Sequence, residues 1–163
     1  MKKWLLTLTL ILPIFLLAAP KFYIATSGGS YKKAIVNGIL NELGKTDMTG
    51  EVGKLKSLKK LDTDSYDVII IMNSVKFGKQ SSKVRKFLKK ADEDLRSKII
   101  LVNTAGSSKW KAAETEMVTI TTASRKSEVK DIVRNIMDES VGILGLPKMK
   151  NGGQLAPSIA PKQ

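Results

Sequence analysis

Apolar residues follow two rhythms along the chain, and their alternation predicts the architecture. Short apolar runs at residues 22–25, 68–72 and 99–102, with weaker ones within 50–55 and at 118–121, read as five strands. The run Val68-Ile69-Ile70-Ile71-Met72 lacks any polar alternation, which is the pattern of a parallel strand buried on both faces. Between these runs the spacing becomes helical. Residues 31–43 carry Ala34, Ile35, Ile39 and Leu43 before a stop at Gly44. Residues 82–91 place Val84, Phe87, Leu88 and Ala91 on one face, and 127–144 carry Val129, Ile132, Val133, Ile136, Met137 and Val141 as a continuous stripe. Strands alternating with amphipathic helices predict an α/β domain with a parallel sheet over residues 20–146.

The two ends break this rhythm. Lys2 and Lys3 precede sixteen uncharged residues, 4–19, that close on Ala18 and Ala19, the layout of an export signal. A cleaved signal and a retained membrane anchor both fit residues 1–19. Leu16, Leu17 and Pro20 disfavour a cut after Ala19, whereas a spanning helix usually needs about 20 residues without a break such as Pro13. A buried core helix is a third reading, and the missing polar face argues against it. Residues 147–163, with Pro147, Pro157, Pro161, Gly152 and Gly153, read as a disordered tail.

Composition narrows the chemistry. A length of 163 residues suits one core, and with neither cysteine nor histidine the chain excludes thiolate nucleophiles, imidazole-based triads and cysteine-ligated metal clusters. Redox or group-transfer chemistry would therefore belong to a bound cofactor. In an open, doubly wound sheet, ligands bind outside the carboxyl ends of the strands, where the strand order reverses. The loop after the first strand, Thr26-Ser27-Gly28-Gly29-Ser30, leads straight into a helix and offers backbone N–H groups, two glycines and hydroxyls to a phosphate. The same residues also suit an ordinary tight turn and helix cap. The loop is neither a Walker sequence nor a G-x-G-x-x-G fingerprint.

The run Ile24-Ala25-Thr26-Ser27-Gly28-Gly29-Ser30 resembles the flavodoxin phosphate loop, [ST]-x-T-G-x-T, with Ala25 where the leading hydroxyl stands. Residues 66–79, Tyr66-Asp67-Val68 through Asn73-Ser74-Val75-Lys76-Phe77-Gly78-Lys79, are similar to the Y-D-x-I-I-x-G-S-x-[KR]-[YF]-G segment of the flavodoxin domains in the menaquinone-dependent protoporphyrinogen oxidase group. Asn73 replaces a small residue of that pattern. The resemblance implies a flavodoxin-like three-layer doubly wound sandwich, a five-stranded parallel sheet of order 2-1-3-4-5, and FMN as cofactor. It implies that the phosphate lies on Thr26, Ser27, Gly28, Gly29 and Ser30. The ring would lie between Asn73, Ser74, Val75, Lys76, Phe77 and Gly78 on one side and Asn103, Thr104, Gly106 and Trp110 on the other. Phe77 and Trp110 become stacking candidates, with Phe77 also readable as a cap on the core and Trp110 as an aromatic at a membrane interface.

The formal net charge is +13, and residues 76–90 hold seven basic side chains and no acidic one. A second basic cluster is formed by Lys54, Lys56, Lys59 and Lys60. Such a run is ordinarily the solvated face of a helix. Behind an export leader it is also suited to an anionic membrane surface or an acidic redox partner. No base-reading motif accompanies it, so nucleic acid is not an expected partner. The sequence thus reads as an exported or membrane-anchored flavodoxin-like protein that binds FMN and transfers electrons, with an FMN-dependent oxidoreductase as one form of that activity. The alternative is a degenerate binding or scaffolding module without FMN, favoured by Ala25, Asn73 and the missing Gly-Asp pair near Gly106.

Overall fold

A computed structural model describes residues 18–107, 109–111 and 117–147. The expected leader, apart from Ala18 and Ala19, and the expected tail, apart from Pro147, lie outside the described residues. Five strands, β1 (Lys21–Thr26), β2 (Thr49–Lys54), β3 (Val68–Ser74), β4 (Ile99–Thr104) and β5 (Val118–Thr122), form one parallel sheet of order β2-β1-β3-β4-β5. This is the fold class and strand order expected from the sequence. Helices α1 (Ser30–Leu43), α2 (Ser82–Leu88), α3 (Glu93–Ser97) and α4 (Val129–Ile143) complete the layers.

Alternate residues of the central strands feed two cores. Phe22, Ile24, Ile70, Met72, Ile100 and Val102 pack under α1 and α4, whereas Tyr23, Ala25, Ile69, Ile71 and Leu101 pack under α2 and the turn that follows β2. Register aligns Ile24 with Ile70 and Ile70 with Ile100, so each apolar row crosses the sheet without interruption. Central strands buried on both faces require such unbroken runs. The strong apolar signal of residues 68–72 and 99–102 and the weaker one of the edge strands thus have one physical cause.

Helical details depart from the expected pattern. The core stripe of α1 is Lys32, Ile35, Val36, Ile39 and Leu43, while Ala34 is exposed. The helix expected over 82–91 stops at Leu88, because Asp92 caps a separate helix, α3, by accepting a hydrogen bond from Leu95 N at 2.9 Å. Arg96 then donates to the carbonyls of Leu88 and Ala91, satisfying acceptors at the break. Leu55, expected at the end of a strand, instead opens a 3₁₀ turn (Leu55–Lys60) that buries Leu55 and Leu58 and keeps Lys56, Lys59 and Lys60 outside. The final helix begins at Val129, two residues later than expected, after a 3₁₀ turn.

Candidate functional site

The strand order reverses between β1 and β3, and the carboxyl edge there is built from hydroxyls. Strand register places Ser74 beside Thr104 and Thr104 beside Thr122. Ser27, one residue past β1, brings its Oγ within 3.5 Å of Ser74 Oγ. Gly28 and Gly29 have φ of 84° and 96°, a region that side-chain-bearing residues rarely enter, and a Cβ at either would meet nothing within 4 Å. The loop therefore uses glycine for backbone direction and leaves the space above it open. Gly28 N donates to Thr26 Oγ1 at 3.2 Å, which folds the loop on itself. Among the described residues no side chain caps the start of α1, which leaves its first N–H groups without a partner from the helix or a cap.

A cavity of about 260 Å³ opens here, lined by Gly28, Gly29, Ser30, Tyr31, Lys32, Ser74, Thr104 and Ser124. Tyr31 Oη lies 2.6 Å from Thr122 Oγ1, which donates to Glu128 Oε2 at 2.8 Å, tying α1 to β5 and α4. Burial holds the Tyr31 pKa above its ordinary value, assisted by the Glu128 charge and opposed by the Thr122 hydrogen bond. On the β2 side of the same loop runs an open groove of about 1060 Å³. Thr26, Ser27, Gly28, Gly29, Ser74 and Lys76 line it, together with Lys54, Lys56, Lys79 and Lys83, and among the described residues no carboxylate does.

Lys32 was not anticipated as a site residue. It is only 5% exposed, and its Nζ donates to Ser27 Oγ at 2.6 Å and to Ser74 Oγ. No carboxylate pairs with it among the described residues. Its pKa is pulled down from 10.5 to about 8, first by burial and then by the charge of Lys76. The sequence did contain a signal: Lys32 precedes Ile35, Val36 and Ile39 at i+3, i+4 and i+7, so it occupies the core stripe in the first turn of α1.

The ring-flanking candidates separate into three groups. Asn73 and Asn103 are fully buried beneath the edge: Asn73 Nδ2 donates to Asn103 Oδ1 at 2.8 Å, and Asn73 Oδ1 accepts from Ser81 N at 3.1 Å. Their side chains brace the loops and do not reach the surface, because their positions at the ends of β3 and β4 point them between the layers. Val75 joins this bracing through its N–H to Thr104 O at 2.8 Å, and Thr104 Oγ1 returns a bond to Asn73 O.

Phe77 and Gly78 form the second group. They occupy a two-residue turn closed by reciprocal hydrogen bonds between Lys76 and Lys79, at 3.0 and 2.9 Å, with φ of 51° and 71°. Positive φ at both central positions is the pattern of a type I′ turn, where Asn-Gly is the favoured pair and a phenylalanine is strained. The Phe77 ring is fully exposed, so it does not cap the core. In the third group, Trp110 Nε1 donates to Gly78 O at 3.2 Å, joining the loop after β4 to this turn, while Gly106 is exposed in that loop. Ala25, at the place of the missing hydroxyl, is buried in the second core, so its side chain faces leucines and isoleucines and not the cradle.

The family model for the flavodoxin domain matches residues 22–142. Among solved structures, an oxidoreductase from Corynebacterium diphtheriae is 12% identical with a TM-score of 0.57, covering 78% of this chain and 98% of its own. A flavodoxin from the domain Archaea is 12% identical with a TM-score of 0.53, covering 77% and 99%. Flavodoxin 2 from Bacillus cereus is 14% identical with a TM-score of 0.50, covering 78% and 99%. No curated protein matches the chain. At these identities the structural likenesses bear on the fold alone, and the matched family model, spanning both cores and the whole carboxyl edge of the sheet, establishes that the chain belongs to the flavodoxin domain family.

Proposed function

We propose that the domain binds FMN at the carboxyl edge of β1 and β3 and transfers electrons through it. The observation that carries this reading is the open glycine and hydroxyl cradle at the reversal of strand order, where a doubly wound sheet binds its ligand. Its residues fit a phosphate: Ser27, Ser30 and the N–H groups at the start of α1 are donors, and the glycines leave room for close approach. Phe77 and Trp110, on loops joined by a hydrogen bond, would flank the ring. When bound, FMN supplies the redox chemistry, and the protein binds and orients it and shields it from water.

The test is quenching of flavin fluorescence by the purified protein, with FMN bound more tightly than riboflavin, which lacks the phosphate. Phe77→Asn sharpens it. Asparagine relieves the strained turn, so stability should rise by about 1 kcal/mol, while FMN affinity falls several-fold with the lost stacking. A protein that leaves FMN fluorescence unchanged at saturating concentrations is the degenerate binding module instead.

The segment at residues 66–79 supports a closer kinship with the protoporphyrinogen oxidase group, and hence an oxidoreductase acting on a membrane-soluble substrate. Fold analogy alone recommends that substrate. The apolar segment at residues 4–19 supports export or anchoring, and no helix among the described residues is long and apolar enough to cross a membrane. Lys76, Lys79, Lys83, Arg85, Lys86, Lys89 and Lys90 are all exposed, on one side of the cradle and along the outer face of α2. This face is the proposed dock for an anionic membrane or an acidic redox partner. Binding to anionic vesicles should weaken with salt and with charge reversal at Lys83, Lys86 and Lys90, and neutral vesicles should not bind. Equal binding to both kinds of vesicle would make the run an ordinary solvated surface.

A further inference from the structure

A buried lysine is ordinarily matched by a carboxylate, because an ammonium taken from water without a counter-charge is costly. Among the described residues, Lys32 has only hydroxyls as partners. Its Nζ is held by Ser27 Oγ and Ser74 Oγ, the two residues that close the cradle at the strand reversal, and it lines the same cavity as Gly28 and Gly29. A hydroxyl donates as readily as it accepts, so the three groups together can turn three donors toward an anion placed among them. The position on α1 explains why the side chain is held there: the core stripe of the helix fixes its stem, and only the ammonium end reaches the loop.

We infer that Lys32 is the resident counter-charge of the cradle, and that the site selects a dianionic phosphate monoester over neutral or singly charged ligands. The inference rests on the same cradle as the FMN reading but does not require the flavin ring. It assigns the cradle's specificity to a single positive charge that the family's loop pattern does not include. The groups that face Lys32 are the hydroxyls of Ser27 after β1 and Ser74 on β3, the charge of Lys76 from the turn after β3, and its neighbour Tyr31 on α1. Across the cavity lie Thr104 at the end of β4 and Ser124 after β5. None of these is a carboxylate, so among the described residues nothing supplies a neutralising charge and that part falls to the ligand.

The consequence for the empty protein follows from the sign of the pKa change. A lysine whose folded pKa lies below its unfolded value opposes folding while charged, so the ligand-free protein should gain stability as pH rises from about 8 to 10.5. An anion in the cradle favours the charged lysine, so phosphate should be bound with proton uptake above about pH 8, where the lysine of the ligand-free protein has begun to lose its proton.

The experiment is thermal unfolding of the full chain with and without inorganic phosphate, at matched ionic strength, for wild type, Lys32→Met and Lys32→Gln. Without phosphate, Lys32→Met should be as stable as wild type or more stable at neutral pH, since it removes an unneutralised charge. Phosphate should stabilise the wild type, and both variants should lose about tenfold to a hundredfold in phosphate affinity. Lys32→Gln retains a hydrogen-bonding side chain, so its loss isolates the charge. Undiminished protection of Lys32→Met, or no effect of phosphate on the wild type, overturns the inference. Phosphate protection without FMN binding leaves it standing and removes only the flavin.

Discussion

Gly28→Asp is expected to fold and to bind essentially no FMN at concentrations that saturate the wild type. The φ of 84° at Gly28 strains any side chain by about 1–2 kcal/mol, with aspartate toward the low end, and the open space that a Cβ would enter adds no clash. Stability should therefore change little, and pairing of the new carboxylate with Lys32 would offset part of the strain. Binding is affected far more. Two like charges about 4 Å apart repel by about 4 kcal/mol at an effective dielectric of 20, roughly a thousandfold in affinity. Gly28→Ala is the control, because it carries the strain without the charge and should lose much less. Fluorescence titration of both variants, with circular dichroism to confirm folding, checks this. Equal FMN affinity in Gly28→Asp and wild type would place the phosphate elsewhere.

Asn73→Ala is expected to destabilise the domain by about 2–4 kcal/mol. The substitution removes the donor to Asn103 Oδ1 and the acceptor of Ser81 N, and an unsatisfied buried polar group costs about 1–3 kcal/mol. Asn103 Nδ2 is buried without a partner among the described residues, and the substitution would also remove the bond to Asn103 Oδ1. Against a total stability of about 5–15 kcal/mol for a typical domain, the effect should be plain in urea unfolding. Removing both amides in Asn73→Ala/Asn103→Ala should cost less than the sum of the single changes, since neither partner then leaves the other stranded. Freed from Asn73, the 74–81 loop should also hold FMN less tightly. A loss below about 0.5 kcal/mol would show that the pair does not brace the edge.

These two residues mark how far the sequence could be read. Gly28 was recognisable because a glycine pair between a strand and a helix has few physical explanations, and each of them concerns backbone direction. Asn73 was recognisable only as a departure from a family pattern, and the structure buries its side chain beneath the edge, bonded to Asn103 and Ser81. A polar residue ending an apolar run can face either the surface or a buried partner, and the partner, Asn103, is thirty residues away on the neighbouring strand. Phe77 was equally ambiguous until the turn showed both central residues at positive φ and the ring in solvent.

The sequence by itself determined the layer architecture, because strands buried on both faces need unbroken apolar runs and helices covering them need a single stripe. It also determined the chemistry that is excluded, since no histidine or cysteine is present to perform it. Only the tertiary structure decided that Lys32 stands at the cradle and that its ammonium meets Ser27 and Ser74 there. Ser27, Lys32 and Ser74 come from a loop, a helix and a strand end, and they meet because parallel register sets where each strand stops. The sequence puts Lys32 on the apolar stripe of α1, but nothing along the chain sets its charge apart from that of the other basic residues. Burial among hydroxyls, with the charge of Lys76 acting on it, makes it a different chemical object, because an electrostatic environment depends on distances that sequence separation does not encode.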